Sequence, residues 1–396
     1  MPYQMYFAIW RAAMGDVPFG YWSYGSTGVG KSELAGLVQQ HWGAVLSPSR
    51  FLANWMSTEN FINEIAFRAK DMILVVDDFK PGGSRGHELR LMQMADRLFR
   101  SQGNTAGRGR MKRDLTLAVG HPVRAMLLST AEELPEGESL LARMIAEEVR
   151  ADPRRFDNLD LHQRNGVTGQ YVKAMSSFLQ WFASNYDTLK TFLTKQVLEQ
   201  RKQFMGKHRR TQEAGAHLMV AATIFLQFAE DKGAVTPTER GRYLDNLARM
   251  IRVSADQQST IQRYENPVRQ ARELLLLGLT QGTVAIEGHP DFTNALAETV
   301  GWYDEDGFLI LMSTGFRGAV RRIARENGVN FNISSHRLGQ SLDEAGWLVK
   351  QDSQGWTQVA RYGEKTYRVY KVNSKFIDSI EEEPVDFEIE KPEEQF

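Results

Sequence analysis

Between Tyr21 and about Arg150, short apolar runs alternate with longer amphipathic ones. Tyr21–Tyr24, Ala44–Leu46, Met72–Val76 and Ala125–Ser129 lack the polar alternation of half-exposed strands, so they read as strands covered on both faces. Lys31–Trp42, Asn60–Ala69, Glu88–Arg100 and Leu140–Glu148 have helical spacing. The alternation predicts βαβ units on a parallel sheet, an α/β fold. A Pro/Asp/Asn-rich stretch, Asp152–Asn158, closes this region. From Gly169 to about Thr280 the period is helical almost throughout, with Phe178, Trp181 and Phe182 on one face and Val220, Ile224 and Phe228 on another as core positions. Phe316–Glu326 and Ser334–Ala345, the latter opened by a serine cap, predict two more helices. Trp347–Lys350 and Thr357–Val372 predict strands, with a turn at Tyr362-Gly363-Glu364-Lys365. Helix, helix, hairpin is the order of a winged helix. The expected organisation is an α/β core over 1–151, a helical lid or linker over 152–265, a winged helix over 266–378 and an acidic tail over 379–396, for which disorder is expected.

One loop changes this picture from architecture to chemistry. Gly25-Ser26-Thr27-Gly28-Val29-Gly30-Lys31-Ser32 fits GxxxxGK[ST] at every fixed position and sits between a predicted strand and a predicted helix. Glycines let successive backbone N–H groups face a β-phosphate, Lys31 reaches the β- and γ-phosphates, and the Ser32 hydroxyl takes a place on Mg²⁺. The helix that follows adds its positive end. ATP and Mg²⁺ are therefore the expected ligands. The apolar strand Met72–Val76 runs into Asp77-Asp78. In this context Asp77 is expected to hold Mg²⁺ through water, and Asp78 to orient and deprotonate the attacking water. The strand Ala125–Ser129 ends in Ser129-Thr130, and one of these two is expected to reach the γ-phosphate or the water; spacing does not choose between them. Arg143, farther on, reads either as an arginine finger for a neighbouring subunit's ATP or as a surface helix arginine.

Composition sets limits on the rest. A chain of 396 residues with 42% hydrophobic content is long enough for two or three cores. The absence of cysteine removes disulfides and thiolate zinc sites and fits a reducing, cytoplasmic setting. The longest apolar stretch, Leu218–Phe228, is broken by Thr223 and Gln227 and is too short to span a membrane. No secretory signal pattern opens the sequence, so no membrane partner is expected. The net charge of −1 hides three basic clusters: Arg97 to Arg113, Arg201 to Arg210, and Arg317 to Arg325. Each is either a solvated face or a polyanion-binding surface. The Gly-rich segment Gly103–Arg113 holds Arg108, Arg110, Lys112 and Arg113 and can project as a hairpin against nucleic-acid phosphates. In the C-terminal segment Ser335, His336, Arg337, Arg361, Lys365 and Arg368 are candidate DNA contacts, with protein docking the equal alternative for that fold.

GSTGVGKS, VVDDF, the basic insertion, HPVRAMLLST and SLLARM, in this order over roughly Met5 to Val149, resemble the ATPase core of superfamily 3 and minichromosome-maintenance-type helicases of the AAA+ class. The likeness is greatest to phage and mobile-element replication helicases often found beside primase domains, which share a W-x-S-T-x-N pattern, here Trp55 to Asn60. Ser57 or Thr58 in that pattern also reads as a helix cap. The resemblance implies a P-loop AAA+ core in a ring, usually a homo-hexamer, with ATP at subunit interfaces and basic hairpins lining a pore. It also implies single-stranded or forked DNA as substrate and a replication protein such as a primase as partner. Minichromosome-maintenance proteins carry Glu where Asp78 stands, and the sequence opens close to its P-loop, where such helicases often carry an N-terminal collar or primase domain. The expected function is an ATP-dependent DNA helicase or translocase of a phage or mobile element; the alternatives are a regulatory AAA+ loader or scaffold switch and a packaging or defence ATPase.

Replacing Arg108, Arg110, Lys112 and Arg113 together by Ala is expected to weaken single-strand binding and to flatten its salt dependence. Each lost phosphate contact lowers the slope of log affinity against log salt by about 0.7. Titrations at several salt concentrations check this, and an unchanged slope removes the insertion from the DNA track.

Overall fold

A computed structural model of the chain describes residues 2–82, 84–104, 110–111, 117–118, 121–135, 137–151, 158–204, 209–264, 266–292, 294, 296–329, 331, 333–349 and 355–378, the side chains at 85, 110, 111, 117, 118, 138 and 259–264 excepted. The acidic tail expected over 379–396 lies outside them. The chain forms two compact units, Met1–Arg263 and Tyr264–Phe396.

The first unit opens with α1 (Tyr3–Ala13), β1 (Gly20–Tyr24), α2 (Lys31–Gln39), β2 (Ala53–Asn54), α3 (Glu59–Arg68), β3 (Ile73–Phe79) and α4 (Arg85–Asn104). The small strands β4 (Arg110–Met111) and β5 (Leu117–Ala118) follow, then β6 (Met126–Ala131), α5 (Glu138–Leu141) and β7 (Met144–Glu148). Helices α6 (Leu159–Val167), α7 (Gln170–Ser184), α8 (Tyr186–Gln200), α9 (Arg209–Asp231) and α10 (Pro237–Tyr264) complete the unit. β2, β3, β6, β1 and β7 lie in that order in one sheet, and every pairing in it is parallel.

Alternate residues of each strand feed opposite faces, as the pleat requires. Tyr21, Ile73, Val75, Met126, Leu128 and Ile145 enter one core with α1, α2, α7, α8, α9 and α10. Trp22, Leu74, Val76, Leu127, Met144 and Ala146 enter the other with α3, α4 and α5. Both faces are covered, which explains the unbroken apolar runs. The helices expected to form a separate lid or linker share the first of these cores. Trp10 of α1 stacks on Phe225 of α9 with centroids 3.9 Å apart and meets Phe178 of α7 edge-on at 5.2 Å. Each such pair adds about 0.5–1.5 kcal/mol to the area it buries.

Two expected elements differ. Ala44–Leu46 is a turn, closed by Leu46 N–H on the Gly43 carbonyl with Val45 exposed, and the strand beside β3 is instead β2. Leu140–Glu148 is not one helix: α5 stops after a turn and Met144–Glu148 pairs with all of β1. Met, Ala and Glu favour a helix there, but the open edge of β1 and two apolar cores override that weak preference. Among the described residues no helix is long and apolar enough to cross a membrane.

The second unit contains α11 (Pro267–Thr280), β8 (Val284–Glu287), β9 (Glu298–Tyr303), β10 (Leu309–Met312), α12 (Ser313–Glu326), α13 (Ser335–Glu344), β11 (Gln358–Tyr362), β12 (Lys365–Val372) and α14 (Lys375–Asp378). Asn266 caps α11 and Ser334 caps α13 through backbone N–H groups. The sheet order is β11, β12, β10, β9, β8, so the hairpin is joined through β12 to strands that the periodicity did not indicate. The strand expected at Trp347–Lys350 is reduced to one bridge, Leu348 opposite Val372.

His41 lies buried at the end of α2, donating Nδ1–H to the Leu37 and Val38 carbonyls, with its ring stacked 4.8 Å from Tyr171. Burial pushes it down to about 4, against those carbonyls. The unfolded chain therefore takes up this proton first as pH falls below about 6.5, and stability is lost from there down to about pH 4. His41 alone is expected to cost about 2 kcal/mol between pH 6.5 and 5. Urea midpoints of the natural chain and His41→Phe across that range check it: the variant is expected to show a shallower decline.

Candidate nucleotide-binding site

The loop from β1 to α2 is shaped by positive backbone angles at Gly25, Gly28 and Gly30. At Gly25 an added Cβ would run into the Val149 carbonyl, and Gly30 ends the loop left-handed as the residue before α2. This leaves the first N–H groups of α2 free for an anion. Lys31 Nζ donates to the Gly25 carbonyl at 2.7 Å and the Ser26 carbonyl at 2.8 Å. Burial lowers its pKa, opposed by Glu132, Asp77 and Asp78.

Strand order decides what meets this loop. β6 lies between β1 and β3, so its C-terminal end stands between the phosphate loop and the acidic pair. Asp77 Oδ1 accepts the Ser32 hydroxyl at 3.0 Å and the Thr130 hydroxyl at 2.5 Å. The Asp78 N–H donates to Thr130 Oγ1 at 3.0 Å. Neighbouring residues on a regular strand point to opposite faces, which would separate the two carboxylates. Here Val76 pairs with Ser129 and Phe79 with Ala131, so Asp77 and Asp78 together stand opposite Thr130 in a bulge. Asp78 adopts φ +64°, a left-handed conformation rare outside glycine, and both carboxylates act on Lys31. Non-glycine residues in such conformations cluster at functional sites.

Ser129 turns the other way. It is buried and accepts the Trp55 indole N–H at 2.9 Å, so Thr130 is the member of the pair that joins the two motifs. Trp55 thus belongs to the core, and Thr58 of the same segment caps α3 by accepting from Phe61 N–H. Ser32 and Asp77 present hard oxygens to one point, a donor set that suits Mg²⁺ completed by phosphate and water. No cluster of three metal-ligating side chains exists among the described residues.

Arg143 is neither in a helix nor on the surface: it sits between α5 and β7 and is only 6% exposed. Nη1 donates to the Ser139 hydroxyl at 2.7 Å and to the Ser139 carbonyl, while Nε has no partner among the described residues. Burial, then Arg210 and Arg100, lower its pKa to about 10, against Asp96. Two cations and one carboxylate thus act on this guanidinium, and its Nε is left without a partner among the described residues.

Of the basic insertion, Arg110 lies on β4, which pairs with β5 as a small antiparallel hairpin. Its side chain, and all of Arg108, Lys112 and Arg113, lie outside the described residues. In the second unit His336 and Arg337 are exposed in the first turn of α13, and Arg361 and Lys365 are exposed on β11 and β12. His336 meets Trp356 edge-on at 4.3 Å. Sequence reasoning missed Glu132 and Lys80, which stand just after β6 and β3 on the edge where the phosphate loop opens. Their place after strand ends was the available signal.

Among solved structures, the chain is similar to that of the SCCmec type IV Cch active helicase. The TM-score is 0.59 at 13% identity, over 94% of this chain and 67% of that one. At this identity the likeness speaks for the fold alone. No protein family matches the chain, and no curated protein matches it.

Thr130→Val is expected to lower nucleotide turnover about 100-fold with little change in nucleotide affinity, the scale of misplacing catalytic groups by about an ångström once Asp77 and Asp78 lose the hydroxyl that orients them. Ser129→Ala is expected to leave turnover near normal and to cost about 1–3 kcal/mol of stability by stranding the Trp55 indole. Turnover and chemical denaturation measured side by side check both; equal effects would refute the division of labour.

Proposed function

We propose that the chain is an ATP-dependent, ring-forming DNA helicase or translocase of a phage or mobile element, acting in DNA replication. The observation that carries the reading is the Asp77 carboxylate, which gathers Ser32 of the phosphate loop and Thr130 of β6 at one point. A carboxylate in that position supports hydrolysis of a nucleoside triphosphate over simple anion binding. The likeness in fold to a structure described as an active helicase supports the same reading.

In this reading the backbone of Gly25 to Ser32 holds the phosphates and Lys31 leaves its own loop carbonyls for the β- and γ-phosphates. Ser32, and Asp77 through water, would hold Mg²⁺, which would offset phosphate charge. Asp78 takes the proton from a water as its oxygen bonds to the γ-phosphorus and the bond to the β-phosphate oxygen breaks. Thr130 orients Asp77 and Asp78. Arg143, whose Nε has no partner among the described residues, is the candidate finger for the neighbouring subunit's ATP in a homo-hexamer. The β4–β5 hairpin, with Arg108, Arg110, Lys112 and Arg113, tracks single-stranded or forked DNA. The second unit is read as a winged helix extended by β8 and β9, with His336, Arg337, Arg361 and Lys365 toward DNA and a primase or similar replication protein as partner.

Lys31→Ala and Arg143→Ala are each expected to be inactive, the first at its own site and the second at its neighbour's. Mixing equal amounts under subunit exchange pairs an intact Lys31 with an intact Arg143 at about one interface in four, by random assortment. Hydrolysis stimulated by single-stranded DNA is expected to return up to that fraction, together with strand displacement from a fork by the natural chain. Mixed assemblies confirmed by mass measurement that recover nothing would remove Arg143 from a role across the interface. Slow turnover indifferent to DNA would favour a loader or scaffold switch instead.

A further inference from the structure

A half-exposed network lies beside the phosphate loop, and the chemistry above does not use it. Glu132 Oε1 accepts the Thr27 hydroxyl at 2.8 Å and the Lys80 ammonium at 2.8 Å. Thr27 belongs to the phosphate loop, and Lys80 follows the strand that ends in the acidic pair. The backbone ties the same three segments: Glu132 N–H donates to the Phe79 carbonyl, and Gly25 N–H to the Ala131 carbonyl. One carboxylate thus links the loops after β1, β3 and β6, the edge at which a nucleotide would enter.

The charges matter as much as the links. Of the carboxylates that act on Lys31, Glu132 acts most strongly, ahead of Asp77 and Asp78. Three anions beside a site meant for phosphate would oppose binding unless one is answered locally. Lys80 answers Glu132: its hydrogen bond raises the lysine and lowers the glutamate. An exposed ion pair contributes little to folding, so stability does not explain the arrangement.

Resting on the nucleotide reading of this site, we propose that Glu132 is a positioning residue for the phosphate loop and Lys80 its counter-charge. Glu132 holds Thr27 toward the acidic pair, and Lys80 cancels the repulsion that Glu132 would otherwise exert on a nucleoside triphosphate. The two therefore act as a pair on affinity and separately on turnover. Lys80 without Glu132 is harmless to binding; Glu132 without Lys80 is not.

A fluorescent ATP analogue with Mg²⁺, together with steady-state hydrolysis, tests this on the full chain. Lys80→Ala is expected to weaken binding about five- to tenfold at low salt, the scale of one uncovered unit charge several ångströms away, and much less at high salt. Adding Glu132→Gln to Lys80→Ala is expected to restore affinity to within about twofold, because the neutral amide no longer repels phosphate. Lys80→Arg is expected to bind as the natural chain does. Glu132→Ala alone is expected to bind no more weakly yet turn over several-fold more slowly, since Thr27 has lost its tether; a merely structural role would not split the two readouts. Natural affinity in Lys80→Ala, or no rescue in the double variant, overturns the proposal while leaving the nucleotide site standing. Failure of the natural chain to bind the analogue at all overturns the site itself, and the pair with it.

Discussion

The carboxylate of Asp77 is the contact on which the arrangement of the site depends. It accepts hydroxyls from the first turn of α2 and from the end of β6, two segments far apart in sequence. Hydrogen bonds to an ionised acceptor are about twice as strong as neutral ones, and this one has two donors converging on a single oxygen. The bulge that follows places Asp78 beside Asp77 rather than behind it. Parallel strands alone would have brought the loops to one edge; the bulge sets two consecutive carboxylates opposite Thr130, where both act on Lys31.

That edge is held steady by a core that reaches well beyond the sheet. α1 is buried almost completely, including Arg11, whose guanidinium donates to the Gly15 carbonyl at 2.6 Å, the Asp16 carbonyl at 3.0 Å and His217 Nδ1 at 3.2 Å. Burial lowers Arg11 to about 10, and His217 stays neutral well below its ordinary range through burial and the adjacent Arg11. A buried cation hydrogen-bonded to carbonyls and a neutral ring, with the Asp16 and Asp71 carboxylates acting on it from farther off, fits one geometry. It joins α1, the turn before β1 and α9, so the helices after the sheet are part of the body that carries the phosphate loop.

Arg143 and Glu132 show the same logic with opposite signs. Each is a charged residue close after a structural element near the sheet. Glu132 finds two donors within its own chain, whereas Arg143 is crowded by Arg100 and Arg210 and keeps one nitrogen without a partner among the described residues. Charge that is answered locally shapes the site of its own subunit. Arg143, by contrast, has Asp96 alone among the described carboxylates acting on it, and its Nη1 is held by Ser139.

Local rules made much of this legible in advance. The P-loop was readable because its glycines are demanded by backbone angles at fixed spacing, and the strands β1, β3 and β6 because both faces are buried. Thr130 could not be told from Ser129, since which side chain faces the loop depends on strand order and on a bulge, neither of which is local. β7 was hidden because Met144–Glu148 has helical composition and becomes a strand only beside β1. Lys80 and Glu132 were invisible as a pair because 52 residues separate them. The amino-acid sequence by itself determined the chemistry available, through residue types and short-range periodicity; the tertiary structure decided which of those groups meet, because pairing across a parallel sheet is set by contacts between distant segments.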